Sequence, residues 1–348
     1  MDRYIGLDVH AQTTTMVVVS QSGKLLAERI IETDAKILLD AILGVAGRLH
    51  VCMEEGMHAE WLYELLVGRV EQVVVLLAPE RSGSKSDSRD ARWLANQLRL
   101  GIPHRRVYKA RLSGLREAVR GYQALVKHST RSKLQLRFLA RGRGLPVDRS
   151  QLMDAESRQE LLAHLPAVRR PRAMLHAELL DCTERLRLQA LEQLHVQARG
   201  CPDVQRLMQV PGLGLIRSAQ IVAIVVTPAR FHSRQQFWSY CGLAIVTRSS
   251  SDWRSESGRF VRSARALTRG LAFGNSTLKA AFKGAALDVV RHYPEHPWTV
   301  AYRRAIDGGK RSNLALLTLA RKIAETVLHI WKHKEDYDPS QHKVQPAA

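Results

Sequence analysis

Acidic and aromatic side chains are scarce in this chain of 348 residues. Asp and Glu number 33 against 53 Lys and Arg, which leaves a formal net charge of +20, and aromatic residues make up 6% of the sequence. Such a charge excess describes partners rather than fold, and it favours nucleic acid, whose phosphates give strong, salt-sensitive binding. The shortage of acids makes any carboxylate that ends an apolar segment a candidate functional group.

Long apolar runs and paired cysteines are also missing. No run reaches the roughly 18 residues that a membrane-spanning helix requires, and the N-terminus lacks the charged-then-apolar order of a secretory signal. The four cysteines are far apart, with no C-x-x-C pair: Cys52, Cys182, Cys201 and Cys241. This spacing argues against a zinc module and predicts reduced thiols. We therefore expect a cytoplasmic protein with no membrane partner.

Two or three domains are expected at this length, and residues 1–108 have an α/β pattern. The predicted strands are Tyr4–Asp8, Thr13–Ser20, Leu25–Glu32, Leu49–Met53 and Val70–Leu77, and the predicted helices are 35–47 and 59–67. The order βββαβαβ predicts a mixed sheet with parallel strands and with helices covering its faces. A further helix is predicted from Lys85 to about Leu100, ended by Gly101.

The rest of the chain has a mostly helical pattern. Residues 109–200 are predicted to form a coiled-coil linker, with a heptad-like seam of Leu175, Leu179, Cys182 and Leu186 that fits a dimer contact. Residues 201–335 are predicted to form a C-terminal domain, with a polar loop over 243–258 and helices near 262–291 and 311–333. Residues 336–348 are predicted to be a tail.

Four acids form the main candidate site. Asp8 and Glu54 each end a predicted strand, and ligands gather at strand ends in sheets of this kind. Asp87 and Asp90 lie three residues apart, on one helical face. Together they offer the oxygen ligands that Mg²⁺ requires beside a phosphodiester. The structural alternative is that Asp87 caps a helix, Asp90 is its N3 acid, and the other two occupy a turn and a loop.

Two neighbouring residues bear on this site. Glu55 competes with Glu54, since adjacent residues of a strand point to opposite faces. His10 lies two residues after Asp8 and therefore on its face of the strand, within reach of a metal-bound water, although a surface histidine is the commoner interpretation.

A second candidate is the serine-rich segment around Ser250. Serine is a poor nucleophile unless a group removes its proton or stabilises the developing charge. Arg248 and Arg254 flank the serines and are suited to neutralising a pentavalent phosphate. From spacing alone, a solvated turn is the favoured explanation of this segment.

Weaker signals point to nucleic-acid contacts. The helix start after Gly212 and Gly214 offers backbone amides to a phosphate. Arg141 and Arg143 are suited to phosphate or RNA but fit a solvated loop as well. His292 and His296 have metal-like spacing in the segment His292-Tyr-Pro-Glu-His296, but the prolines predict a polar loop instead.

Several motifs, taken in order, resemble the DEDD transposases of bacterial insertion sequences over roughly residues 3–335. The matching segments are Tyr4-Ile-Gly-Leu-Asp8, Cys52-Met-Glu54, Lys85-Ser-Asp87-Ser-Arg-Asp90-Ala-Arg, Val210-Pro-Gly-Leu-Gly214, Tyr240-Cys-Gly-Leu243 and Ala320-Arg-Lys-Ile323. The resemblance implies an RNase H/RuvC-like α/β N-terminal domain, a helical coiled-coil arm and a mostly α C-terminal transposase domain.

The resemblance also implies a mechanism. A bridge RNA would pair with donor and target DNA, Mg²⁺ would be bound by Asp8, Glu54, Asp87 and Asp90, and a serine would form a phosphoserine link to DNA. Counting from Gly242-Leu243 assigns that role to Ser250, with Ser249 and Ser251 as rivals. The sequence departs from the family where Ser251-Asp252-Trp253 replaces a glycine beside the serine, and where Glu54-Glu55-Gly56 replaces Glu-Ala-Thr-Gly.

We therefore expect a transposase that acts as a homodimer or homotetramer, because two duplexes must be cut. Two alternatives remain at this stage. One is a metal-only nuclease or resolvase in which water attacks the phosphate. The other is a nucleic-acid-binding regulator without catalytic activity.

Overall fold

The computed structural model describes residues 1–76, 86–101, 112–249, 253–262, 267–271 and 273–342. The chain divides into two compact units, Met1–Ser113 and Gly114–Ala348.

A five-stranded sheet organises the first unit. Its strands are β1 (Asp2–Val9), β2 (Thr13–Ser20), β3 (Leu25–Glu32), β4 (Arg48–Glu54) and β5 (Gln72–Leu76), and its helices are α1 (Ala35–Leu43), α2 (Ala59–Leu66) and α3 (Asp87–Leu100). The strand order is β3-β2-β1-β4-β5. β1 pairs antiparallel with β2 and parallel with β4, and β4 pairs parallel with β5. The predicted mixed α/β sheet is confirmed.

The two faces of the sheet carry different helices because side chains alternate along a strand. Ile5, Leu7 and Met53 pack with Leu38 of α1 and Leu62 of α2 in one cluster.

The opposite face of the sheet carries α3. Cys52 of β4 packs with Leu94 of that helix. Gly6 of β1 faces α3 closely enough that a Cβ built on it would stand 1.8 Å from the carbonyl oxygen of Ala91. Any side chain at position 6 would push the helix away from the sheet.

The second unit begins with a long helical hairpin. Its helices are α4 (Ser113–Arg141), α5 (Arg149–Met153), α6 (Ala155–Ala163) and α7 (Arg170–Arg199). α4 and α7 run antiparallel, since Tyr122 contacts Arg187 near one end while Gln135 accepts a hydrogen bond from Arg172 nearer the other. Between them Glu184 of α7 pairs with Lys133 of α4 at 2.8 Å.

The predicted seam is not part of the contact between these two helices, and its role as a dimer contact stays a prediction. Its members are all exposed: Leu175, Leu179, Cys182 and Leu186. The stripe of α7 that is buried is alanine-rich: Ala173, Ala177, Leu180, Thr183 and Ala190. The pattern of large apolar residues therefore does not mark the stripe of α7 that contacts α4. The alanines of that stripe are small enough to let α4 approach closely, while Leu136 and Leu139 of α4 fill the remaining space.

The remaining residues form a helical region with two small strand pairs. The helices are α8 (Pro202–Met208), α9 (Leu215–Val225), α10 (Arg234–Tyr240), α11 (Ser276–His292), α12 (Pro297–Asp307) and α13 (Ser312–His333), and the strands are β6 (Ile245–Ser249), β7 (Trp253–Glu256), β8 (Arg259–Arg262) and β9 (Leu267–Leu271). β6 pairs with β9 and β7 with β8, both antiparallel. The mostly helical character predicted beyond the first unit is confirmed.

Three local predictions in this region are wrong. The polar loop predicted over 243–258 contains β6 and β7, because interstrand pairing stabilises segments whose composition suggests a turn. The helix predicted from 262 begins only at Ser276, after Asn275, whose side chain accepts from the Leu278 amide. The segment between the predicted helices 262–291 and 311–333, for which no helix was predicted, contains α12, which Pro297 opens at its first turn, where proline is tolerated.

The described residues between Gly242 and Gly274 begin and end at one point of the helical region. A Cβ on Gly274 would stand 2.4 Å from the Gly242 nitrogen, so the two backbones touch. The Asn275 amide donates to the Tyr240 carbonyl at 2.9 Å beside this contact. This excursion (residues 243–273) contains both strand pairs.

The start of the predicted tail is packed against helices. The Tyr337 hydroxyl lies 2.8 Å from Nε2 of His296, and its amide donates to Gln209 at 2.9 Å. Burial raises the pKa of Tyr337 to about 12. Within the described ranges, no helix combines the length and the apolar character that crossing a membrane would require.

Candidate metal centre

Three side chains from the first unit converge at the carboxyl end of β1. Nε2 of His10 lies 3.5 Å from Oδ2 of Asp8 and 3.5 Å from Oδ2 of Asp87. One ligand atom from each residue lies within 4.8 Å of the other two, which is a spacing that suits a metal ion. Asp8 is the last residue but one of β1 and Asp87 opens α3, so the contact of β1 with α3 at Gly6 brings the two together.

The electrostatics of Asp8 favour a cation at this place. Burial raises the pKa of the Asp8 carboxyl, the nearby charges of Asp87 and Asp90 raise it further, and His10 partly offsets both. Repulsion among carboxylates is costly without a positive charge between them. The donor set therefore fits a divalent metal ion, with Asp90 contributing charge one turn after Asp87.

Glu54 lies beside this cluster without joining its three-residue core. The register pairs Leu7 with Met53, so Asp8 and Glu54 occupy the next positions on adjacent parallel strands. Because side chains alternate along a strand, Asp8 and Glu54 lie on the same face of the sheet as Cys52, which is the face that carries α3. The Glu54 side chain is exposed, and Glu55 is tied through its amide to the Leu76 carbonyl at 2.8 Å.

The helix-capping alternative for the two aspartates does not describe α3. The N-cap residue is Ser86, and the capping residue makes no side-chain hydrogen bond; Asp87 is the first helical residue. The Asp90 amide donates to the Ser86 carbonyl as an ordinary helical bond of 3.0 Å. The capping-box pattern of Asp87 and Asp90 is thus wrong, and capping does not account for these acids.

The serine segment is only partly described. β6 runs to Ser249, Arg248 lies in β6 and Arg254 in β7. Ser250 and Ser251 lie outside the described residues.

Arg321 of α13 holds the base of this segment, and the sequence pattern gave it no role of its own. Its Nε donates to the Leu243 carbonyl at 2.6 Å, and the Trp238 indole donates to the Arg321 carbonyl at 3.0 Å. Burial lowers the pKa of the guanidinium, and its Nη2 atom is buried with no hydrogen-bond partner among the described residues. Only its place in the Ala320-Arg-Lys-Ile323 segment signalled it.

The two glycines of the turn before α9 differ. Gly212 has φ +79°, and a Cβ there would stand 2.4 Å from the Ala285 carbonyl oxygen, so packing against α11 explains this glycine. Gly214 is the N-cap of α9 and has open space where a side chain would stand. Gly214 is the better placed of the two to approach a ligand.

The other predicted contacts are scattered. Arg141 and Arg143 are exposed at the end of α4 and in the turn after it. His292 lies 3.2 Å from Asp288 on α11, whereas His296 caps α12 and meets Tyr337. The two histidines therefore have separate partners rather than one metal site.

Comparison with known proteins supplies two matches. A family model for DEDD transposases of the IS110 group, described as Transposase, matches residues 5–142. A second, described as Transposase IS116/IS110/IS902 family, matches residues 204–301. No curated protein matches the chain. The two matched segments follow one another without overlap, one containing the acidic cluster and the other containing the excursion.

Proposed function

We propose that this DNA transposase, whose two matched domains are of the IS110 type, moves an insertion sequence by way of a serine–DNA ester, with a divalent metal ion bound by acids of its first unit. The observation that carries the proposal is the convergence of Asp8, His10 and Asp87 within 4.8 Å. Carboxylates repel the phosphates of nucleic acid. A cluster of them on a strongly cationic chain is therefore explained when a cation lies between the carboxylates and the phosphate.

The four acids would hold the ion. Asp8 and Asp87 are the central pair, Glu54 is the neighbour across the parallel strands, and Asp90 adds charge from the next turn of α3. The ion, Mg²⁺ by the sequence-based prediction, would supply positive charge to a non-bridging phosphate oxygen when bound. The RuvC-like interpretation of this unit rests on the same acids and on the mixed sheet.

Ser250 is the proposed nucleophile. Its oxygen would attack the scissile phosphorus and lose its proton, while the bond from phosphorus to the leaving deoxyribose oxygen breaks and that oxygen takes up a proton. Rejoining is the reverse attack by a deoxyribose hydroxyl of another strand, so the ester conserves the bond energy and no ATP is needed. Arg248 and Arg254 are proposed to neutralise the phosphate in the transition state.

As a transposase, the chain acts on DNA. A bridge RNA would pair with donor and target DNA, and the charge of +20 suits a protein that binds both nucleic acids. Arg141, Arg143, Gly212 and Gly214 are proposed backbone contacts. Two or four copies of the chain would act together, and the exposed stripe Leu175, Leu179, Cys182 and Leu186 is the proposed contact between copies.

A trapping experiment tests the proposal. The full chain, its element DNA and the RNA that copurifies with it are incubated with Mg²⁺ and resolved on a denaturing gel. A protein–DNA adduct is expected, absent in Ser250→Ala, retained in Ser249→Ala and Ser251→Ala, and strongly reduced in Asp8→Asn.

Other outcomes select the alternatives. Nicked DNA without an adduct identifies a metal-only nuclease. Unchanged DNA, with binding that fades with salt and is indifferent to Asp8→Asn, identifies a regulator. Activity that survives removal of RNA by ribonuclease contradicts only the part of the proposal that involves a bridge RNA.

A further inference from the structure

His10 is held in place by its own backbone. Its amide donates to the Thr13 carbonyl at 3.0 Å, and its carbonyl accepts from the Thr33 hydroxyl at 2.9 Å. The Thr33 hydroxyl also lies 2.9 Å from that of Thr14, whose residue is fully buried. The turn from β1 to β2 thus presents the imidazole from a braced main chain, as a preorganised ligand requires.

The imidazole stands at a distance that suits shared coordination better than direct hydrogen bonding. Both gaps from Nε2 to the carboxylate oxygens of Asp8 and Asp87 are 3.5 Å, whereas charge-assisted N–H···O bonds are about 2.7–2.9 Å long. Ligands about 2.1 Å from one ion are separated by about 3.0 Å in an octahedron and about 3.4 Å in a tetrahedron. The ring remains half-exposed, with 53% of its side chain accessible, so an ion can reach it.

A nitrogen donor changes which ion the site prefers. Carboxylates suit Mg²⁺, whereas imidazole binds the later first-row ions better, and affinity for such a mixed site rises from Mn²⁺ onward. In a centre built only from carboxylates, the affinity would rise less from Mn²⁺ onward.

We propose that His10 is a nitrogen ligand of the divalent ion that Asp8 and Asp87 bind, and that it raises the affinity of the site for Mn²⁺ and later first-row ions more than its affinity for Mg²⁺. The inference rests on the proposed function only in that the acids bind a divalent ion. It concerns metal identity and is independent of the serine chemistry.

The test uses the full chain with Mn²⁺ alone. Pulsed electron paramagnetic resonance detects nitrogen bound to Mn²⁺ as a modulation of the spin echo. The modulation is expected in the unaltered chain, absent in His10→Ala, and unchanged in the matched control His128→Ala, an exposed histidine of α4. Titration should show Mn²⁺ affinity falling about tenfold in His10→Ala, with Mg²⁺ affinity changing much less.

The outcomes separate this inference from the proposed site. Mn²⁺ that binds the unaltered chain without nitrogen modulation, or with modulation that survives in His10→Ala, overturns the role of His10 and leaves the carboxylate site intact. Mn²⁺ binding that is equal in the unaltered chain and in the Asp8→Asn, Asp87→Asn double variant overturns both. His10→Gln provides the same comparison with an oxygen donor if the alanine variant does not fold.

Discussion

Gly6 of β1 and Ala91 of α3 touch backbone to backbone, since a Cβ on Gly6 would stand 1.8 Å from the Ala91 carbonyl oxygen. This contact sets the height of α3 above the sheet and with it the distance from Asp87 to Asp8. The geometry of the acidic cluster therefore depends on a residue that carries no functional group.

Gly6→Ala should displace α3 and weaken the metal site. The overpacked contact is expected to cost about 1–3 kcal/mol of unfolding free energy and to lower Mn²⁺ affinity as Asp87 moves from Asp8. Urea denaturation and Mn²⁺ titration measure the two effects. Gly121→Ala in α4, where a Cβ meets nothing within 4 Å, is the control and should not lower stability.

Asp8→Asn should stabilise the metal-free protein while removing metal binding. The folded-state pKa of Asp8 is raised by burial and by Asp87 and Asp90, so its ionisation disfavours folding as pH rises above the ordinary value. A neutral amide removes that repulsion, with a gain on the order of 1 kcal/mol, as at other strained sites. Thermal unfolding without and with Mn²⁺ checks this. A loss of stability in metal-free buffer would contradict it.

Adjacent leucines of α7 should respond oppositely to truncation. Leu180 is 1% exposed and Leu179 is 49% exposed. Leu180→Ala is expected to cost about 2–5 kcal/mol because it leaves a cavity, whereas Leu179→Ala should change monomer stability by less than about 0.5 kcal/mol. Denaturation curves decide the stability effects, and sedimentation shows whether Leu179→Ala weakens self-association. Equal losses of stability would mean that the predicted seam is buried after all.

Glu184 should make the helical hairpin acid-sensitive. Burial raises its pKa, but hydrogen bonds from Lys133, Ser129 and Arg187 outweigh this and lower it to about 2. A lowered pKa stabilises the fold above the ordinary value of 4.5, and this stabilisation is lost as pH falls towards 2. Glu184→Gln should cost about 1–3 kcal/mol at neutral pH and flatten the pH profile of stability between those values.

The control for that experiment is Glu178→Gln, an exposed acid of the same helix. Its pH profile should match that of the unaltered chain. A similar flattening in both variants would assign the acid sensitivity to general charge rather than to Glu184.

The Tyr337 hydroxyl should lose its proton at a higher pH than an ordinary tyrosine. Its pKa is raised by burial from 10.0 to about 12, so the stability that its neutral hydroxyl contributes is present below pH 10 and is lost as pH rises to about 12. Absorbance at the tyrosinate band should show one late-titrating group that disappears in Tyr337→Phe and persists in Tyr293→Phe. The Phe variant should lose about 0.5–1.5 kcal/mol with the His296 hydrogen bond.

Local patterns predicted the first unit well because its strands are apolar runs with clear turns between them. The parallel pairing of β1 with β4 follows from the order of the elements, so the neighbouring positions of Asp8 and Glu54 were accessible from sequence. The position of the His10 ring was not, because it depends on a turn braced by Thr33, a residue far along the chain.

Patterns failed where tertiary contacts outweigh composition. β6 and β9 are stabilised by each other across the excursion rather than by local preference. The buried stripe of α7 is rich in alanine, whose hydrophobic signal is weaker than that of the exposed leucines beside it. The role of Arg321 could not be predicted from local spacing, because its hydrogen-bond partner is a main-chain carbonyl 78 residues away.

The meeting of Gly242 with Gly274 has a practical consequence for engineering. Since entry and exit of the excursion share one point, a short linker replacing residues 245–272 would span almost no distance. Such a deletion would spare the segments that form α8–α13 and discard every serine of the Ser249–Ser251 group. Under the proposed serine mechanism, it offers a route to a variant that still binds nucleic acid but cleaves no strand.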